Sequence, residues 1–282
     1  MERNNPGSYD PFAGHPQRPD PQLTPTGPQQ ALYPQQTYPV SEPPVDPDTD
    51  KPTFERPVSG LDTFLVFITF ALSMAIGGLA VVFMAIYFGA DGAGWVLPVV
   101  GLIQIAMVAG ILKIRKYRWS DLGFVRPKTG WHMVWQIPGT WIVVLMVGAS
   151  LGSLFLSEPD ADTSQAIRDT AAIGPVMMFG VILLAVFILP LVEEIVFRRF
   201  LYAWLEMRFG KKFGMGVGVA AAVIISGVLF GLMHVVPAAV VMISCLGIAM
   251  AILLRVNRSM WAPTILHMLN NAVATAVALS ML

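Results

Sequence analysis

Glu193 and Glu194 stand side by side at the end of 22 uncharged residues, 171–192, and Arg198 follows four positions after Glu194. A run of that length can cross a bilayer as a helix, and the i,i+4 spacing puts the arginine on the face of the second glutamate. An ionised side chain at membrane depth costs about 3 kcal/mol on insertion scales, so an embedded carboxylate pair points to function. The competing reading ends the helix here, with both glutamates at the headgroups beside Arg198 and Arg199. Further along, Phe230-Gly-Leu-Met-His234 puts a histidine near the end of one apolar stretch, and His267-Met-Leu-Asn-Asn271 puts another inside the last. One intramembrane histidine is more often a helix-packing hydrogen-bonder than a catalyst. Two of them after a glutamate pair shift the balance towards hydrolysis, where Glu or His serves as general base. Glu, His and His also form a zinc ligand set. Asn271, at i+4 from His267, can hold a water or an oxyanion.

These side chains need a scaffold, and the composition says which. Hydrophobic residues make up 55% of the 282 positions and charged ones 13%, against about 25% charged in soluble domains, so the chain reads as an all-α, polytopic membrane protein. The net charge of zero says nothing about a nucleic-acid partner, but no cluster looks like a basic reading surface, so none is expected. A single cysteine, Cys245, excludes an intrachain disulfide. Charge-free runs predict spans at 63–90, about 95–112, about 133–156, the segment ending in the glutamates, about 214–235, about 238–254 and about 260–282. Pro237 divides the 42 residues without Asp, Glu, Lys or Arg that separate Lys212 from Arg255. About seven helices over 61–282 result. Residues 1–60 hold 14 of the 22 prolines and no apolar periodicity, so they read as a disordered tail, dispensable to the bundle. No early apolar core marks a signal peptide. Gln104 and Gln136 read as interhelical hydrogen-bonders, and His132, beside Trp131, as a headgroup contact.

Loop charge alternates. Lys113, Arg115, Lys116, Arg118, Arg126 and Lys128 make one loop basic, Glu158, Asp160, Asp162 and Asp169 make the next acidic, and Arg199, Arg208, Lys211 and Lys212 restore positive charge. The positive-inside rule then predicts a multi-pass protein with a cytoplasmic amino terminus and its carboxyl terminus outside. Depth is harder. If the glutamate helix turns near Gly210, Glu193 and His234 come within about 10 Å of equal depth at 1.5 Å per residue. His267 lies only about 7 residues into its helix, so straight helices leave the two histidines at different levels unless one is tilted, short or broken.

Taken in order, Glu193-Glu194-Ile-Val-Phe-Arg198, Phe230-Gly-Leu-Met-His234 and His267-Met-Leu-Asn-Asn271 resemble the CPBP family of intramembrane proteases, the CAAX prenyl protease 2 and bacteriocin-processing (Abi) group. Arg258-Ser-Met-Trp-Ala-Pro263 and Trp119-Ser-Asp-Leu-Gly-Phe124 resemble its flanking segments, and the likeness covers about 115–282. The resemblance implies hydrolysis of a peptide bond in a membrane-associated substrate, and the compact loops fit a plasma-membrane member of that family. Glu193 is the implied base on a water, supported by His234, with His267 and Asn271 binding water, metal or oxyanion and Glu194 paired with Arg198. It also leaves open a divalent metal such as zinc on Glu193, His234 and His267. A transporter relaying protons through the same residues, or a scaffold in which they only staple helices, is the alternative.

Overall fold

The computed structural model describes residues 50–93, 96–127, 130–152, 174–234 and 237–280. The proline-rich segment 1–49, Lys128 and the acidic stretch containing Glu158, Asp160, Asp162 and Asp169 lie outside the described residues. The described residues form seven long helices: α1 Gly60–Ala93, α2 Val96–Ile114, α3 Met133–Gly152, α4 over 175–213, α5 Met215–Leu232, α6 Pro237–Asn257 and α7 Trp261–Ser280. Among the described residues there is no strand. Among the described residues six helices are long and apolar enough to cross a membrane, and α2 contributes a shorter apolar run, Pro98–Ile114.

Helix ends follow local chemistry. Ser59 caps α1, its Oγ accepting the Asp62 N–H at 3.0 Å. α2 closes in a Schellman turn: the Tyr117 N–H donates to the Leu112 carbonyl, the Lys116 N–H to that of Lys113, and Lys116 takes the left-handed φ of 54°.

α4 is one continuous helix of changing winding. It runs through Pro175–Leu183, a π-turn at Leu184–Ile188, an α segment Leu189–Glu194, a second π-turn at Ile195–Tyr202 and a final α segment Ala203–Phe213. Each π-turn accommodates an extra residue in the ladder and rotates the remainder of the helix, a device concentrated at functional sites. The two bracket the glutamates. α5 returns antiparallel and meets α6 through small residues. A Cβ on Gly227 would come within 2.6 Å of the Ile248 backbone nitrogen, and one on Gly231 within 2.6 Å of the Val240 carbonyl. The GxxxG spacing thus lets the backbones touch and fixes the face on which Phe230 and His234 sit.

Residues 51–58, which composition places in the tail, pack on one end of the bundle. The Thr53 N–H and hydroxyl donate to the two oxygens of Glu206 at 2.8 and 2.6 Å. Arg255 and Arg258 donate to the carbonyls of Lys51 and Pro52. Arg199 donates to the carbonyls of Arg56 and Asp121 and lies over the Phe54 ring. Backbone carbonyls are the main acceptors in this strap, so its docking has no composition signature. The 119–124 segment joins the same layer: the Met260 N–H donates to the Gly123 carbonyl at 2.9 Å, Trp119 stacks on Phe124, and Phe124 meets Trp261 edge-on. Gly123 has φ 86°, and a Cβ there would collide with Phe54. Both predicted glutamine contacts form, Gln136 accepting from Asn257 at 3.1 Å and Gln104 reaching the Met74 sulfur at 3.3 Å. His132 lies between the rings of Trp131 and Trp135.

The depth mismatch between the histidines has a structural solution. α7 starts at the level of the strap, where Arg199 reaches the Asp121 carbonyl and Met260 the Gly123 carbonyl. α4 continues from there to Phe213 before turning. The α4–α5 hairpin therefore overshoots the start of α7. His267, six residues into α7, and Glu194, five residues before Arg199, each lie about 8–9 Å from the strap layer. The helices begin at different levels, so neither a break nor a short α6 is required.

Candidate active site

α4 presents Glu193 and Glu194 between its two π-turns, and α7 presents His267 against them. The imidazole fits between adjacent carboxylates. Its Nδ1 lies 3.1 Å from Glu194 Oε1 and its Nε2 lies 3.6 Å from Glu193 Oε2. The first is a hydrogen bond; the second exceeds hydrogen-bond length and leaves the Glu193 carboxylate uncommitted on that side. Exposure separates the pair further: the Glu194 side chain is fully buried, whereas that of Glu193 is 21% exposed.

Glu194 is also the partner of Arg198, whose Nε stands 3.1 Å from Glu194 Oε2, both side chains having no exposed surface. The two atoms are out of hydrogen-bond alignment, so charge attraction holds the pair. Arg198 Nη2 donates to the Gly247 carbonyl on α6 at 3.2 Å, and the guanidinium lies 4.7 Å from the centre of the Phe230 ring. A buried cation is thus spread over three helices, and removing either member of the pair leaves an uncompensated charge, a loss of about 3–5 kcal/mol.

His234 joins from α5 through Phe230. Its Nδ1 lies 3.0 Å from the Phe230 carbonyl, which can only accept, so Nδ1 carries the proton and a neutral ring keeps its lone pair on Nε2. The Phe230 ring stands edge-on to both His234, at 5.2 Å, and His267, at 5.3 Å. It is 1% exposed and packs at the junction of His234, His267, Arg198 and Phe197. Sequence reasoning used Phe230 as a motif letter and missed its part as a spacer; its four-residue distance from His234 was the available signal. Asn271 points elsewhere, its amide donating to the Ala185 carbonyl on α4 at 3.0 Å.

The structure thus brings Glu193, Glu194, Arg198 and His267 together, attaches His234 through Phe230 and ties Asn271 to the first π-turn. Among the described residues no three His, Cys, Asp or Glu side chains gather closely enough to hold a metal ion.

Comparison with known proteins points to the same segment. Residues 175–273 match the family described as type II CAAX prenyl endopeptidase Rce1-like. The chain is similar to the protein named "Putative membrane peptidase YdiL" of Bacillus subtilis (strain 168), with 26% identity over 146 residues, 50% of this chain and 54% of that protein. The chain therefore spans about half the length of the curated relative it matches. No solved structure matches. The matched segment opens at the start of α4 and closes two residues after Asn271, enclosing every residue of the site, and both likenesses support a place for the chain among CAAX-type membrane peptidases.

Proposed function

We propose that the α4–α5–α7 site hydrolyses a peptide bond in a membrane-associated protein or peptide, with Glu193 activating the attacking water. The observation that carries this reading is the unequal environment of the two carboxylates around His267. Glu194 is engaged by Arg198 and by His267 Nδ1, and a carboxylate so committed orients its neighbours. Glu193 is partly exposed and lies 3.6 Å from His267 Nε2, a gap a water can bridge.

In this scheme Glu193 takes a proton from the water as its oxygen attacks the scissile carbonyl. The carbonyl oxygen takes the negative charge; the C–N bond then breaks and the proton passes to the leaving amine. His234, with its lone pair on Nε2, and His267, with its Nε2 facing Glu193, hold the water and intermediate on either side of Phe230. The embedded depth of the motif and the family match support a membrane-associated substrate. The basic residues at the strap end of the bundle, Lys113, Arg115 and Lys116 among them, support a cytoplasmic orientation for that end in a plasma membrane. Meeting of Glu193, Glu194 and His267 at one point favours catalysis over a scaffold, whose polar residues would serve separate contacts. A proton or ion carrier is the remaining alternative.

The test is Glu193→Gln in purified full-length protein with a membrane-associated peptide substrate. Cleavage is lost while melting is retained; turnover near the wild-type rate would remove the base assignment. Zinc on Glu193, His234 and His267 is the second reading, favoured by the lone pair that His234 keeps on Nε2. Activity surviving exhaustive chelation supports the Glu–His water mechanism, and activity restored stoichiometrically by zinc supports the metal.

A further inference from the structure

The first π-turn of α4 contains an unmet requirement. In its i→i+5 ladder the Leu189 N–H donates to the Leu184 carbonyl, so the next carbonyl, Ala185, would receive the N–H of residue 190. Residue 190 is proline, buried in the helix three positions before Glu193, and it has no N–H to give. A carbonyl left without a donor in apolar surroundings is costly, and polar side chains from neighbouring helices are the usual remedy inside membranes. Here the donor comes from α7: Asn271 Nδ2 reaches Ala185 O at 3.0 Å. Its carboxamide is itself held. Asn270 Nδ2 donates to Asn271 Oδ1, and Trp141 Nε1 of α3 donates to Asn270 Oδ1, both at 3.4 Å.

We propose that Asn271 is a positioning residue which supplies from α7 the hydrogen bond that Pro190 withholds from Ala185, and that Trp141 and Asn270 fix its amide in the donating orientation. The relay ties the winding of α4 just before Glu193 to the helix that carries His267. It sets the rotation at which the two carboxylates meet the imidazole. The catalytic consequence rests on the function proposed above; the structural coupling does not.

The experiment is a double-mutant cycle in the full chain, melting the wild type, Asn271→Ala, Pro190→Ala and the double variant in detergent. Pro190→Ala restores an N–H at the i+5 position. Asn271→Ala therefore lowers the melting temperature by several degrees in the wild-type background and by less than half as much beside Pro190→Ala. Equal losses in both backgrounds overturn the proposal. Should Pro190→Ala fail to fold, Asn271→Asp replaces the donor by a charged acceptor facing a carbonyl and melts below Asn271→Ala; melting at or above Asn271→Ala overturns it instead. Trp141→Phe, which keeps a ring and removes the indole N–H, reads positioning: turnover per folded molecule falls severalfold with KM unchanged, and an unchanged turnover removes Trp141 from the relay. If no variant or wild type cleaves peptide, the peptidase reading fails while the melting cycle still decides the relay.

Discussion

Arg198 and Arg199 are neighbours on one helix, both without exposed surface, and their burial is offset by opposite means. Arg198 faces a carboxylate, a carbonyl and an aromatic ring contributed by three helices of the bundle. Arg199 faces the strap, bonding backbone carbonyls of Arg56 and Asp121 and covering the Phe54 and Tyr117 rings. The first solution couples charge to the proposed active site; the second couples it to docking of chain more than 70 residues away. Adjacent side chains face different neighbours because successive residues on a helix point about 100° apart.

This contrast can be broken at several points. The largest effect is on catalysis in the Arg198 region: Glu193→Gln reduces peptide turnover by about 10²–10⁴, the contribution of a general base, with unchanged thermal melting. Next, Glu194→Gln leaves Arg198 without its counter-charge and lowers stability by about 3 kcal/mol as well as impairing activity, measured by unfolding in detergent; a variant as stable as wild type would show that the pair contributes nothing. In the Arg199 region the strap is tested by truncation. Removing residues 1–49 leaves melting unchanged, whereas removing 1–58 strips Arg199 of the Arg56 carbonyl and Phe54 and lowers melting by several degrees, about 1.5–3 kcal/mol for a charge-assisted hydrogen bond. Identical melting of the two truncations would reduce the strap to a surface contact.

The smallest effect is at the rim of the strap layer. The Arg118 backbone N–H, and then Arg56, hold the Asp121 carboxyl below its usual range. A depressed carboxyl stabilises the fold above its unfolded value near 4 and loses that contribution as pH falls through its folded value. The 119–124 loop therefore loosens below about pH 4, visible as a change in Trp119 fluorescence that Asp121→Asn abolishes.

The positions of the helices were legible because charge-free length is a local property: the predicted spans at 63–90 and 133–156 overlie Gly60–Ala93 and Met133–Gly152. The residues proposed for catalysis stand out for a similar reason, since Glu193, His234 and His267 are conspicuous in apolar surroundings. Other features depend on groups that sequence patterns do not display. The strap is held largely by carbonyls, which every residue owns, at separations of 143 to 207 positions. The relative levels of α4 and α7 depend on where a hairpin turns, and the role of Asn271 depends on a donor that Pro190 lacks.

The two π-turns also bear on how α4 can change. Each turn counts one residue more than an α-helix needs, and Glu193 and Glu194 lie between them. Adding or deleting a single residue in that stretch rotates everything beyond by about 100°, a consequence of 3.6 residues per turn, and carries one or both carboxylates away from His267. A one-residue insertion or deletion between Leu184 and Tyr202 is therefore expected to disrupt the site where a substitution leaves its register intact. For anyone building chimeras, α4 transplants as a unit with α7 or not at all.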